Sequence, residues 1–216
     1  MKQKETKTKR IGILGGAFNP PHFGHLKIAR KAIKLLKLDE LIFMPTGIPT
    51  LPKKNLIPSK NRLEMVKILT KLNPKFSISE YEIKKAKKGK PSYTLETIKY
   101  LKRKFKNVKF FWIIGEDSFC EIVMNKWKHN SKVLDLMKFV VFSRKKPHSI
   151  KNLPKKYQKK AKELLKKVIY VKNFNIPISA TEIRERVKKG KSIKNLLPKE
   201  IELYIKSHRL YSNDKK

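Results

Sequence analysis

The chain has 216 residues, of which 39% are hydrophobic, and its formal net charge at pH 7 is +38. This length and apolar content suit one sizeable α/β domain. No apolar run approaches the roughly 18–20 residues that a bilayer-spanning helix needs, and the charged N-terminus lacks the apolar stretch of a signal peptide. The single cysteine, Cys120, excludes an internal disulfide. We therefore expect a cytoplasmic protein without a membrane partner, in which Cys120 is an inert, partly buried thiol.

The basic residues are 47 lysines and only 8 arginines, scattered along the whole chain. Base readout and bidentate phosphate contacts favour arginine, and the sequence has no arginine-rich arm. We therefore interpret the charge as a solvated basic surface that also attracts small anions. We do not expect a nucleic acid to be the main partner, but a basic nucleic-acid-binding protein of α/β fold remains the alternative from another functional class.

Short apolar runs alternate with segments of helical spacing. In chain order, these patterns predict strand Ile11–Leu14, helix Leu26–Leu36, strand Leu41–Met44, helix Arg62–Leu72, strand Phe76–Ser79, helix Thr94–Phe105, strand Phe110–Ile114, strand Phe139–Phe142, helix Lys155–Lys167, strand Val168–Val171, helix Ile183–Lys189 and helix Lys199–Ser207. Tyr81–Ile83 is a candidate extension of the third strand.

This alternation favours a doubly wound parallel sheet in one domain over residues 1–216. We expect an ordered core over about residues 9–211 and frayed ends at 1–8 and 212–216. The proline-rich loop over residues 46–60 is long for a compact domain, which favours a mobile substrate loop.

The stretch GGAFNPPHFGHL at residues 15–26 lies between the first predicted strand and the first predicted helix. Gly15 and Gly16 have no Cβ, so a phosphate can approach the backbone N–H groups, and the helix directs its positive N-terminal end to the same place. His22 and His25 face one side if the helix has begun by then. The stretch matches neither GxGxxG nor the Walker A pattern, yet it predicts a phosphate site.

The unit GGAFNPPHFGH resembles the signature of nucleotidyltransferases with an HxGH motif, whose fold is a Rossmann-like sheet. Other segments are similar to parts of the bacterial nicotinate-nucleotide adenylyltransferases. These are NRLEMVKIL at 61–69, KPSYTLETIKYL at 90–101, FFWIIGEDSF at 110–119 followed by Trp127, and PISATEIRERVKKGKSIKNLLPKEIELYIKSHRLY at 177–211. The resemblance implies a Rossmann-like doubly wound sheet with a small helical C-terminal part at about 179–211.

The resemblance also implies an activity, in which ATP and nicotinate mononucleotide give nicotinate adenine dinucleotide and pyrophosphate in NAD biosynthesis. The implied catalytic residues are His22, His25 and Arg184, with Arg184 on the β and γ phosphates. The implied ATP-binding residues are these three with Gly15, Gly16, Ala17, Phe18, Gly115, Asp117, Ile178, Ser179 and Thr181. The implied mononucleotide-binding residues are Lys53, Tyr93, Thr94 and Trp127. Mg²⁺ is expected to arrive mainly on ATP, with no protein metal site.

The sequence departs from the family pattern at two places. Asn19 stands where many members have Asp, so a metal-ligand role there is doubtful. The family's PPHK stretch appears here as PTLPKK, which lacks the histidine and displaces the basic residue to Lys53 or Lys54, and the sequence does not decide which of them, if either, reaches a phosphate.

The implied chemistry needs little from the protein beyond positive charge. The second pKa of a phosphate monoester is about 6, so the attacking group is already ionised at neutral pH and needs no general base. Alignment and charge neutralisation of two anions then carry the reaction. Related HxGH enzymes that act on nicotinamide mononucleotide or phosphopantetheine, or make a CDP-alcohol, remain alternatives. The PSYT segment, the GED…W spacing and the C-terminal segment argue against the last two.

Overall fold

A computed structural model describes residues 8–53, 55–128, 133–143, 150–172, 174 and 176–212 of the chain. Its strands are β1 (Lys9–Gly16), β2 (Glu40–Pro45), β3 (Phe76–Ile78), β4 (Val108–Gly115), β5 (Lys138–Phe142) and β6 (Ile169–Val171). Its helices are α1 (Phe23–Leu36), α2 (Ser59–Thr70), α3 (Tyr81–Lys87), α4 (Thr94–Lys104), α5 (Glu116–Val123), α6 (Val133–Leu136), α7 (Lys155–Leu165), α8 (Ala180–Lys188) and α9 (Lys199–Ser207). Within these residues no helix is both long enough and apolar enough to cross a bilayer.

The six strands form one parallel sheet in the order β3-β2-β1-β4-β5-β6. The chain builds outward from β1 to one edge, returns to the centre at β4 and builds outward to the other edge. This is a doubly wound Rossmann-like sheet, and its topological switch point lies between β1 and β4. The predicted fold class is confirmed.

Both faces of the sheet are covered by apolar side chains. On β4, Phe111 and Ile113 belong to one core cluster, whereas Phe110, Trp112 and Ile114 belong to the other. The first cluster packs beneath α1, α2, α8 and α9, and the second beneath α4 to α7. A fully apolar strand such as FFWII is typical of a sheet buried on both faces.

One predicted element is wrong. Tyr81–Ile83 does not extend β3 but begins α3. The apolar alternation there is only three residues long, and the Lys and Ala residues that follow favour a helix. The helices α5 and α6 were not predicted. The ends expected to fray fall mostly outside the described residues.

Cys120 is the only cysteine of the chain, and its side chain is fully rather than partly buried. Burial raises the pKa of its thiol to about 11, so the sulfur is held as the unreactive thiol.

Candidate active site

A cleft opens at the carboxyl ends of β1 and β4, where three helices begin. His22, Gly115 and Ser179 are the N-cap residues of α1, α5 and α8, and all three line this cleft. Helix N-termini carry unpaired N–H groups and the positive end of the helix dipole, so each stabilises a nearby anion. Three N-termini around one cleft favour the binding of a polyanion, and the carboxylate of Asp117 in the first turn of α5 also lines the cleft. We call it the β1–β4 cleft.

The two histidines of the motif close the first turn of α1 with their own side chains. Nδ1 of His22 accepts a hydrogen bond from the Gly24 N–H at 3.0 Å, and Nδ1 of His25 accepts one from the His22 N–H at 3.2 Å. Their ring centroids lie 4.0 Å apart. A backbone amide can only donate, so Nδ1 carries no proton in either ring. The proton of each neutral ring therefore lies on Nε2, which is the donor a phosphate oxygen needs.

Arg184 reaches the same cleft from α8. Its Nη1 donates to the carbonyl of Asn19 at 2.8 Å, and its Nη2 donates to Oγ1 of Thr181 at 3.2 Å. Its Nε is buried and has no hydrogen-bond partner among the described residues. Since a buried unpaired donor costs free energy, an anion in the cleft is the partner that would satisfy this guanidinium.

A second pocket adjoins the cleft and shares Gly15, Gly16, Lys53 and Ser118 with it. We call it the Trp127 pocket. Its aromatic side chains are Trp127, Tyr93 and Trp112, and the N-terminus of α4 opens onto it at Thr94. Nε1 of Trp127 donates to Glu121 at 3.0 Å, and Nζ of Lys128 lies 4.4 Å from the Tyr93 ring centroid. The pocket therefore combines flat aromatic surfaces with two lysines, Lys53 and Lys128, and two glutamates, Glu82 and Glu121.

Arg62 ties the loops around these two sites to each other. Its side chain is 1% exposed and donates to three carbonyls, those of Ala17 at 2.8 Å, Gly47 at 3.0 Å and Ile57 at 3.2 Å. Ala17 belongs to the loop after β1, and the other two belong to the long loop after β2. Burial lowers the pKa of Arg62 to about 10, which still leaves the guanidinium charged at neutral pH.

Comparisons with known proteins agree with this geometry. The sequence profile of the Cytidylyltransferase-like family matches residues 13–186. A Clostridium tetani protein named probable nicotinate-nucleotide adenylyltransferase is 42% identical over 205 residues, which are 94% of this chain and 99% of that protein. A protein of the same name from Clostridium acetobutylicum is 40% identical over 204 residues, 94% of this chain and 99% of its own length. The chain belongs to the nicotinate-nucleotide adenylyltransferase family.

The solved structures of this kind share the fold. The Plasmodium falciparum nicotinic acid mononucleotide adenylyltransferase complexed with NaAD superposes with a TM-score of 0.74 at 20% identity, over 94% of this chain and 97% of that one. A Vibrio parahaemolyticus protein described as a putative nicotinate-nucleotide adenylyltransferase gives a TM-score of 0.65 at 17% identity, over 95% and 99% of the two chains.

The enzyme's expected site residues fall into the two cavities. The β1–β4 cleft is lined by Gly15, Gly16, Ala17, Phe18, His22, His25, Gly115, Asp117, Ser179, Thr181 and Arg184. The Trp127 pocket is lined by Lys53, Tyr93, Thr94 and Trp127. Ile178 is half-buried and packs against the core instead of lining the cleft. Lys54 lies outside the described residues.

Two buried glutamates lie in the helices around these sites. Glu116 is in the first turn of α5, where it accepts hydrogen bonds from the Tyr170 hydroxyl at 2.7 Å and the Ile150 N–H at 3.2 Å. Glu82 lines the Trp127 pocket from α3, and burial raises the pKa of its carboxyl to about 6. The sequence did not single out Glu82.

The sequence analysis also missed the role of Arg62. The signal was present, because Arg62 shares the inward face of α2 with Met65, Val66 and Leu69 at helical spacing. A charged residue at a position where the pattern demands an apolar one is buried with partners or is misassigned.

Proposed function

We propose that the enzyme binds ATP in the β1–β4 cleft and nicotinate mononucleotide in the Trp127 pocket, and that it transfers the adenylyl group between them. The observation that carries the proposal is the convergence of three helix N-caps on a cleft that shares its Gly15–Gly16 border with an aromatic, cationic pocket. A polyanion and a phosphorylated aromatic ring are the two ligands that these neighbouring cavities suit. The relatives described above support the reaction.

In this proposal the reaction is a direct in-line displacement. A phosphate oxygen of the mononucleotide forms a bond to the α phosphorus of ATP, while the bond from that phosphorus to the bridging oxygen breaks and pyrophosphate leaves with the electron pair. The attacking phosphate is ionised at neutral pH because its second pKa is about 6. No covalent enzyme intermediate forms, and the protein aligns the two anions and offsets their repulsion.

In this proposal each residue of the β1–β4 cleft contacts a different part of ATP. Nε2 of His22 and of His25 donates to the triphosphate, in the tautomer that their capping hydrogen bonds select. Arg184 holds the β and γ phosphates and steadies the leaving pyrophosphate. Gly115 and Asp117 lie on the adenosine side, beside Ala17 and Phe18. Ser179 and Thr181 shape the start of α8.

The mononucleotide is placed in the neighbouring pocket. Trp127 stacks on the nicotinate ring in an orientation set by its hydrogen bond to Glu121. Tyr93 and Thr94 flank the mononucleotide at the N-terminus of α4, and Lys53, which borders both cavities, contacts a phosphate.

Nucleotidyltransferases of this family generally use a divalent metal, and we propose that Mg²⁺ arrives as part of the MgATP substrate. Within the described residues, no group of three or more His, Cys, Asp and Glu side chains has the arrangement of a metal site. Asp117 is the carboxylate that lines the β1–β4 cleft. The phosphates and water are the oxygen ligands that Mg²⁺ prefers. We also propose that the enzyme works in the cytoplasm, where its reduced thiol is stable.

Pyrophosphate release tests the proposal. The purified chain is supplied with MgATP and either nicotinate or nicotinamide mononucleotide, and we expect release with a strong preference for the acid. His22→Ala and His25→Ala each lower turnover at least about 100-fold, a transition-state loss of roughly 2.7 kcal/mol. His208→Ala is the matched control, because His208 lies exposed at the end of α9. Full turnover in both cleft variants contradicts the proposed roles of the histidines.

The rival reading as a nucleic-acid-binding protein has its own test. Binding to duplex and single-stranded DNA is measured across a salt series, since specific binding through phosphates gives a steep salt slope. We expect weak binding that disappears at physiological salt. Submicromolar binding there, without pyrophosphate release, would replace the proposed function with the rival.

A further inference from the structure

The C-terminal segment, residues 177–211, makes three hydrogen bonds to the stretch that carries the histidine motif. Arg184 Nη1 donates to the carbonyl of Asn19 at 2.8 Å, the Phe23 N–H donates to the carbonyl of Leu196 at 3.0 Å, and the Tyr211 hydroxyl donates to Oδ1 of Asn19 at 2.9 Å. The last contact joins residues 192 positions apart in the sequence. Tyr211 lies close to the end of the described chain, and Asn19 lies in the loop of the histidine motif and lines the β1–β4 cleft.

Asn19 is a junction, because three segments meet on its side chain and carbonyl. Its side chain is 5% exposed, and its Nδ2 donates to the Asn55 carbonyl at 2.8 Å. Its Oδ1 accepts from the Ile57 N–H at 3.4 Å as well as from Tyr211. A backbone carbonyl can only accept and a backbone N–H can only donate, so these two partners decide which way the amide points. Tyr211 must therefore be the donor in its contact.

The chemistry of this junction depends on an amide at position 19. A carboxylate there would set an acceptor oxygen against the Asn55 carbonyl, where the structure has a donor at 2.8 Å. The same amide keeps one acceptor for the Tyr211 hydroxyl. The Asn19 side chain is thus matched to partners from two distant segments, the loop after β2 and the segment after α9.

We propose that Tyr211 is a positioning residue for Arg184, acting through Asn19. The hydroxyl holds the Asn19 side chain, the Asn19 carbonyl receives Nη1 of Arg184, and the buried Nε of Arg184 has no partner among the described residues. Through these contacts Tyr211 fixes the position of the Arg184 guanidinium, which in the proposed function holds the departing pyrophosphate. Tyr211 itself does not line either cavity. The inference rests on the proposed phosphate role of Arg184.

The test compares Tyr211→Phe, which removes only the hydroxyl, with Tyr204→Phe on α9, whose hydroxyl lies outside the junction. We measure kcat, the KM for nicotinate mononucleotide, the inhibition constant for pyrophosphate and the thermal midpoint. In Tyr211→Phe we expect the inhibition constant to rise and kcat to fall, each by about fivefold, the effect of one hydrogen bond. The KM for the mononucleotide stays within about twofold, because that ligand lies in the other pocket. Tyr204→Phe matches the wild type.

A double variant separates positioning from general destabilisation. If Tyr211 acts through Asn19, then Asn19→Ala with Tyr211→Phe is no slower than Asn19→Ala alone, since contacting residues are not additive. Three results overturn the inference. The double variant loses the product of the two single-variant losses in kcat, Tyr211→Phe raises the KM for the mononucleotide together with the inhibition constant for pyrophosphate, or Tyr211→Phe leaves both constants unchanged.

Arg184→Ala, measured in parallel, distinguishes a failure of the proposed phosphate role of Arg184 from a failure of the positioning role of Tyr211. An unchanged inhibition constant for pyrophosphate in this variant overturns the phosphate role of Arg184, and the inference fails with it. A raised constant in Arg184→Ala beside a wild-type constant in Tyr211→Phe overturns the inference alone and leaves the proposed function standing.

Discussion

Gly24 lies directly beneath the imidazole of His22. A Cβ built on Gly24 would sit 2.7 Å from Cε1 and 2.8 Å from Nδ1 of that ring, and 2.6 Å from Cγ2 of Ile176. These distances are shorter than any normal contact of a Cβ. The glycine of the HxGH motif is therefore required because the first histidine folds back over it to cap the helix.

We expect Gly24→Ala to lower turnover about tenfold or more, because the His22 ring must leave the position that directs Nε2 at the phosphates. Alanine favours a helix over glycine by about 1 kcal/mol, so a gain in stability would be the outcome if neither the His22 ring nor Ile176 were in the way. Steady-state pyrophosphate release and urea unfolding check both quantities. Lys31→Ala, an exposed change on the same helix, serves as control. Wild-type turnover in Gly24→Ala contradicts this account.

His22 caps α1, and we propose that it also donates to the phosphates. A pair of variants separates the observed role from the proposed one. His22→Ala removes both the helix cap and the phosphate donor, whereas His22→Asn keeps a side chain that caps helices well. We expect His22→Ala to lose about 1 kcal/mol of unfolding free energy and His22→Asn to recover most of it. Turnover stays at least about 100-fold below the wild type in both variants. Recovery of turnover in His22→Asn would reduce the histidine to a capping residue.

Arg62 binds the loops together through its three carbonyl contacts. Arg62→Met keeps much of the buried volume but leaves three acceptors without their donor, so we expect a loss of at least about 3 kcal/mol in unfolding free energy. Arg62→Lys keeps the charge but cannot reach three carbonyls in different directions, and we expect it to fall between Met and the wild type. Urea unfolding at pH 7.5 measures the series. Equal unfolding free energies of the wild type, Arg62→Met and Arg62→Lys would contradict a stabilising role of the three Arg62 hydrogen bonds.

Glu82 makes the stability of the fold depend on pH. Since burial raises the pKa of its carboxyl to about 6, the folded state holds this proton more tightly than the unfolded state, and the stabilising effect of protonation is lost as pH rises through about 6. We expect Glu82→Gln, which is neutral throughout, to gain stability relative to the wild type by up to roughly 2 kcal/mol between pH 4 and pH 7.5.

Urea unfolding of both proteins at several pH values measures the difference for Glu82. Glu64→Gln is the control, because Glu64 lies on the surface and pairs with Lys67. A difference between Glu82→Gln and the wild type that does not change with pH would mean that Glu82 does not titrate in this range.

The features that depend on local sequence pattern could be predicted from the sequence. The apolar run Phe110–Ile114 predicted a strand buried on both faces, which the structure confirms. The HxGH stretch placed His22 and His25 at the start of α1, where both line the β1–β4 cleft, and the phosphate site there stays a prediction. Local pattern failed at α3, where three alternating residues resembled a strand. Contacts between distant segments could not be predicted from local pattern. The residues around Arg62 do not indicate that it donates to Ala17, and the residues around Tyr211 do not indicate that it donates to Asn19. Such contacts depend on which loops the finished sheet brings together.

The common border of the two cavities, with Gly15, Gly16, Lys53 and Ser118 in both, has a consequence for inhibitor chemistry. One molecule that fills both cavities pays the entropy of association once, and its second half binds at a high effective concentration. Under the proposed placement of the two substrates, the dinucleotide product is itself a ligand that bridges both cavities, and slow release of this product would limit turnover. Compounds that imitate the joined product across Gly15 and Gly16 should therefore bind more tightly than analogues of either substrate alone.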